Sequence, residues 1–162
     1  MSGALRFIDN LVHIRIHPDE GAGMFGVAEM VGRPGFQSPL HVHHADDEGF
    51  HVVEGEVTLW IGQDGPLVLG EGSSFVAPRG VAHAYRLTGS GPTRWFTTST
   101  PGHIVRFIEA WSEPTEALRL WDEPSALTDA EGFARLAAEW SIEILGPPGM
   151  LPSDLAPWAR EE

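Results

Sequence analysis

The chain has 162 residues, with 19 Gly, 13 Pro, no cysteine and a formal net charge of −13 at pH 7. That length suits one domain with enough chain to bury a sizeable core. The acidic balance argues against nucleic acid or a membrane surface as partner, since both rely on basic patches, and the missing cysteines exclude disulfides and thiolate metal ligands.

The first ten residues lack the apolar run of a signal peptide, and no stretch is long and apolar enough to span a bilayer, so a soluble cytoplasmic protein is expected. Val12, Ile14 and Ile16 alternate with His13, Arg15 and His17, the period of a half-buried strand. Residues 18–23 read as a turn, 24–31 as a second strand and 32–35 as a break. His41 and His43 then occupy a short extended segment, followed by an acidic loop at 44–47. A strand at 50–53 leads through a tight turn into Val57, Leu59 and Ile61, which alternate with Thr58 and Trp60 toward a hairpin signal at Gln63-Asp64-Gly65. Strands at 67–69 and 74–77 precede the turn Pro78-Arg79-Gly80. Strands at 83–87 and 94–99 and an apolar run at 104–108 complete the series. So many strands with little helix between them predict an all-β sandwich or barrel.

The character changes near Trp111. Thr128 and Glu131 have capping-box spacing, and Phe133, Leu136, Ala137 and Trp140 recur at helical spacing. The expected organisation is a β-barrel over residues 1–110, with a helical and Pro-rich extension, 111–162, packed on it. Within that extension, residues 146–157 read as extended or loosely held.

Four residues carry the chemistry: His41, His43, Glu48 and His83. Residues two apart on a strand share a face, roughly 6.6 Å apart along the backbone, so His41 and His43 can aim at one point. Glu48 follows on a new strand after the loop, and His83 starts a later strand just after the Pro78–Gly80 turn. Strand parity puts Phe50 and Val52 on the face of Glu48 and His51 on the other, which sets His51 aside. By the same parity Tyr85 and Leu87 share the face of His83. Three imidazoles and a carboxylate suit one divalent transition metal ion, whether Fe, Mn, Ni, Co, Cu or Zn. Such an ion keeps a net charge of about +1 and has positions left for a small-molecule substrate and dioxygen. Glu48 beside an open position is also the candidate catalytic proton acceptor. Phe36, Phe50, Tyr85 and Phe107 are the candidate lining of a substrate pocket. His13 and His17, the cluster His44, Asp46 and Asp47, and His103 read as solvent-facing. Trp111, Trp121 and Trp140 read as packing the extension down or making a dimer contact.

The spacing resembles the two signature motifs of the cupin superfamily, Gly-x5-His-x-His-x4-Glu-x6-Gly and Gly-x5-Pro-x-Gly-x2-His-x3-Asn. Gly35, His41, His43, Glu48 and Gly55 match the first without a gap. Gly72, Pro78, Gly80 and His83 match the second, while Leu87 stands where the family usually has Asn. The resemblance implies a double-stranded β-helix, or jelly roll, with His41, His43, Glu48 and His83 as metal ligands. The phrases from Asp47 to Glu56 and from Ala77 to His83 look most like the single-domain, quercetin-dioxygenase-like branch. That likeness implies a dioxygenase acting on an enolic or phenolic, flavonol-like molecule, and a homodimer. Related sites serve polyketide cyclases and isomerases, so a non-redox isomerase, cyclase or lyase stays open, as does a non-catalytic small-molecule binder.

Overall fold

The computed structural model describes residues 3–156. Among the described residues, twelve strands form two antiparallel sheets whose inner faces feed a common core. The first sheet contains β1 (Ala4–Phe7), β2 (Asn10–Ile16), β3 (Gly26–Gly32), β5 (Asp47–Glu54), β8 (Ser74–Ala77), β10 (Thr93–Thr100) and β11 (Glu113–Thr115). Its order is β11-β1-β2-β3-β10-β5-β8. The second contains β4 (Leu40–His43), β6 (Val57–Ile61), β7 (Asp64–Leu69), β9 (His83–Leu87) and β12 (Ile142–Gly146), in the order β12-β4-β9-β6-β7. Two short helices, α1 (His103–Trp111) and α2 (Ala130–Glu139), accompany them. This is the double-stranded β-helix that the sequence led us to expect.

Alternation along the strands builds the core. On β10, Thr93, Trp95, Thr97 and Ser99 are buried while their neighbours are not. On β5 the buried set is Glu48, Phe50 and Val52, with His51 exposed, so the parity read from the sequence holds. Val12, Met30, Val52 and Trp95 from the first sheet meet Val57, Leu59 and Leu87 from the second. Burying such side chains removes apolar surface from water at roughly 25 cal/mol per Å².

Two turns carry the motif geometry. Gly55 links β5 to β6 with φ 85°, and a Cβ there would press on the backbone of Thr93 at 2.8 Å, so both conformation and space call for glycine. Gly80 has φ 78°, and its amide donates to the His43 carbonyl at 2.8 Å, which ties the second motif to the first.

The structure departs from the sequence expectation in the chain's outer parts. The apolar run at 104–108 is the buried side of α1, since Ile104, Val105, Phe107 and Ile108 recur at helical rather than strand spacing. β1 was not foreseen, nor were β11 and β12. β11 pairs with β1, and β12 pairs with β4 directly behind His41 and His43. The cap of α2 is Asp129, whose carboxylate accepts the Gly132 amide at 2.9 Å, rather than Thr128. Residues 152–154 form a single tight helical turn and Leu155 is buried, so the stretch from Gly146 is anchored as far as it is described; Pro157 and the residues beyond it lie outside the described residues. No described helix is long and apolar enough to cross a membrane.

Candidate metal centre

His41, His43 and His83 come from the second sheet and Glu48 from the first, so the cluster sits where the two sheets face each other. His41 and His83 are direct partners in the register of β4 and β9. One candidate ligand atom from each of the four residues lies within 4.8 Å of the others, and all four residues are buried. The imidazole centroids are 4.4–5.1 Å apart.

The hydrogen bonds around the cluster decide which nitrogen faces inward. His41 Nδ1 lies 2.8 Å from the Pro39 carbonyl, and His83 Nδ1 lies 3.0 Å from the Val81 carbonyl. A carbonyl can only accept, so each Nδ1 carries a proton and each Nε2 is left toward the centre. His43 Nε2 and His83 Nε2 meet the same oxygen of Glu48, Oε2, at 2.9 and 3.2 Å. His43 Nδ1 is buried without a hydrogen-bond partner. Burial would push the Glu48 carboxyl up, but the charge of His43 and the hydrogen bonds from His43 and His83 outweigh it and hold Glu48 well below the carboxylate range. Burial, reinforced by His83 and His43, holds His41 well below its ordinary value. An ionised carboxylate and a neutral imidazole are the forms that ligate a divalent ion. The donor set therefore fits a metal that prefers nitrogen and oxygen.

A cavity of about 60 Å³ opens beside the cluster and is lined by His41, His43 and Glu48. Phe36, Tyr85 and Phe107 line it. Phe50 is not in its wall: it is 2% exposed and packs edge-on against Tyr85 at 5.7 Å, because the inward face of β5 beyond Glu48 fills the core. Burial, then the charge of Glu48, pushes the Tyr85 phenol up, so it stays protonated. Much of the remaining wall comes from residues that no motif marks. Phe7 and Ile8 come from the β1–β2 corner, Ile104, Phe107 and Ile108 from α1, Phe133 from α2, and Ile144 from β12.

Asp46 explains how α1 reaches this wall. Its Oδ2 accepts the backbone amides of His103 at 2.9 Å and Ile104 at 3.3 Å, capping the helix from the loop between β4 and β5. Its Oδ1 lies 2.8 Å from His103 Nδ1. Asp46 is thus 2% exposed rather than solvated, and His103 is half-buried beside it. Burial pushes the Asp46 carboxyl up against the pull of His103 and the two amides. Asp47 instead pairs with Arg79 at 3.1 Å, and His44 with Glu143 at 2.7 Å, both near solvent. The signal for Asp46 in the sequence was an acid two residues before a candidate ligand, with a Pro-Gly turn and helical apolar spacing far downstream.

Residues 28–99 match the model of the cupin domain. This stretch is a cupin domain. Quercetin 2,3-dioxygenase of Bacillus subtilis (strain 168) is 31% identical over 106 residues, which is 65% of this chain and 31% of that protein. The chain thus spans about a third of the length of the curated relative it matches. Among solved structures, the polyketide cyclase RemF from Streptomyces resistomycificus is similar with a TM-score of 0.51 and 21% identity, over 76% of this chain and 78% of that one. A predicted oxalate decarboxylase from Thermotoga maritima is similar with a TM-score of 0.53 and 16% identity, over 57% of this chain and 80% of that one. These two likenesses concern the cupin fold.

Proposed function

We propose that the chain is a metal-dependent dioxygenase acting on an uncharged enolic or phenolic small molecule. The observation that carries this reading is the character of the cavity beside the cluster. Apart from the cluster itself, its wall holds no ionisable side chain but the protonated Tyr85, and no arginine, in a sequence without lysine. A dianion such as oxalate would leave a carboxylate against Phe, Ile and Met side chains with no cation to meet it. An enol or phenol places one or two oxygens at the cluster and its carbon frame against the apolar wall. The 31% identity to a quercetin dioxygenase supports the same substrate class.

In this reading His41, His43, Glu48 and His83 hold a divalent ion of Fe, Mn, Ni, Co, Cu or Zn, with Nε2 of His41 and His83 as ligand atoms. When bound, the ion would supply Lewis-acid stabilisation of the substrate oxyanion and, if redox-active, a route for electrons to dioxygen. Glu48 Oε1 makes no hydrogen bond among the described residues, and in this reading it takes the substrate's hydroxyl proton. Tyr85, held between Phe36, Phe50 and Trp95 rings at 5.7–6.1 Å, keeps a protonated hydroxyl in the same wall. The apolar side chains exclude water from the reacting carbon.

The test is elemental analysis of protein purified without added metal, followed by turnover of 3-hydroxyflavone in an oxygen electrode. Oxygen uptake matching substrate loss is expected. Turnover under nitrogen at an unchanged rate would overturn the dioxygenase assignment and place the reaction among lyases, isomerases or cyclases. Binding without conversion under each of the six metals would make the chain a non-catalytic binder.

A further inference from the structure

The cavity beside the cluster is not the whole space available to a ligand. At about 60 Å³ it takes a few waters or the edge of a small ring. Next to it lies an outer groove of about 580 Å³, within the usual size of small-molecule sites. The inner chamber and the groove share five wall residues: Ile8, Phe36, Pro39, Phe133 and Ile144. The groove's other walls come from Gln37, residues 125–127, Ala130 at the start of α2, and residues 146–148. No ionisable side chain lines it, although the chain carries a net charge of −13. A charged ligand would find no partner there, whereas an uncharged aromatic one would lose only water.

The shared residues are not equivalent. Phe133 is locked by rings of Phe7, Phe107 and Trp111 at 5.1–6.0 Å. Phe36 sits half-buried on the turn before β4, and its nearest ring contact is Tyr85 at 6.1 Å. Ile8 stands at the tip of the β1–β2 hairpin with φ 57°, a left-handed conformation that a β-branched residue rarely adopts. Glycine or asparagine would make such a turn without strain. The isoleucine side chain lines the inner chamber, the groove and a third cavity that borders Trp111, so it stands where all three meet. Backbone strain kept at such a junction points to a role for the side chain.

We propose that the outer groove binds the body of an uncharged, elongated aromatic substrate whose oxygen-bearing edge reaches the cluster, and that Ile8 and Phe36 select that substrate at the threshold. This rests on the reading of the cluster as a metal site.

The test uses zinc-loaded protein, because zinc has no redox chemistry and binding is then read without turnover. The probes are maltol and 3-hydroxyflavone, which offer the same neighbouring hydroxyl and ketone oxygens, although only the second has an aryl body. The wild-type protein is expected to bind 3-hydroxyflavone at least about tenfold more tightly than maltol. Ala130→Trp, at an exposed position remote from the cluster, fills the groove and should bring that ratio to about one, with zinc content and maltol affinity unchanged. Ile8→Gly, which accepts the left-handed backbone, should raise the association rate of 3-hydroxyflavone by about threefold or more. An unaltered ratio in Ala130→Trp overturns the groove as a binding site and leaves the metal reading standing. An unaltered association rate in Ile8→Gly overturns the threshold. Zinc-loaded wild type that binds neither probe overturns both the groove and the enol or phenol substrate class, and a chain that takes up no zinc overturns the metal reading beneath them.

Discussion

The polar centre of the site and its apolar wall are built in opposite ways. The centre comes from two short stretches, 41–48 and 78–83, whose side chains are placed by strand parity and by turns with left-handed glycines. Much of the wall comes from outside those stretches: the β1–β2 corner, α1, α2 and β12, beside Phe36 and Tyr85 from the barrel itself. It is held by long-range contacts such as Asp46 on the α1 amides and Phe133 among the rings of Phe7, Phe107 and Trp111. Local sequence fixes the first, and tertiary packing fixes the second. The capacity to hold a metal and the choice of substrate can therefore change separately.

The largest expected effect breaks the centre and spares the wall. His43→Ala or His83→Ala should weaken zinc or iron affinity by more than about 100-fold, since removing partners of ligands alone costs 10–100-fold. Metal content after dialysis against a weak chelator is the measurement, and retention of stoichiometric metal would remove that histidine from the ligand set. The converse is Phe133→Ala, which should cost about 3–5 kcal/mol of stability by leaving a cavity among three rings. A urea titration reads the loss. Metal content should stay stoichiometric under native conditions; if it falls in step with stability, the two regions are not separable.

What could be read in the sequence follows the same division. The β2 and β6 segments were legible because each alternates with period two, the β5, β8, β9 and β10 segments because turn residues separate them, and the four cluster residues because fixed turns bracket them. Three of the four suggested pocket residues line the cavity, and Phe50 does not. Phe133 was visible only as one position of an apolar helix stripe, with nothing local to say which barrel wall the stripe would meet. β1 is only four residues long, and β12 pairs with β4 far upstream in the chain, so neither shows a pattern of its own. Asp46 looked like any acid in a charged loop, because the amides that it caps are 57 and 58 residues downstream.

A carboxylate outside both regions gives the next effect and its pH dependence. Glu29 on β3 is 5% exposed and bridges Arg15, at 2.5 Å, and Arg94. Burial raises its carboxyl, but the hydrogen bonds from Arg94 and Arg15 outweigh that and leave it lowered from the ordinary 4.5. A lowered folded-state value means that the stability from this group is fully present above 4.5 and is lost as pH falls through the lower folded value. Glu29→Gln should therefore lower the urea midpoint at pH 7 by the equivalent of about 1 kcal/mol, since both arginines are about half exposed, and flatten the acid limb. Metal content should not change. A variant whose profile from pH 3 to pH 7 parallels the wild type would show that the arginine bridge contributes nothing.

The smallest effect is the sharpest check on the centre. His51 lies three residues after Glu48 on the same strand, yet it is exposed and its Nδ1 meets the Ser74 hydroxyl at 2.7 Å. His51→Ala should leave metal content intact and change stability by no more than about 0.5 kcal/mol. The reason is register. Glu48 pairs with Ala77 on one side and Ser99 on the other, and a slip of one residue would turn Glu48 outward and bring His51 in. Loss of metal in His51→Ala would mean that β5 pairs one residue out of the register described. The inward set would then be Asp47, Gly49, His51 and Val53 in place of Glu48, Phe50 and Val52. An unchanged metal content in His51→Ala, beside its loss in His43→Ala, ties the donor set to strand parity rather than to the number of histidines in the segment.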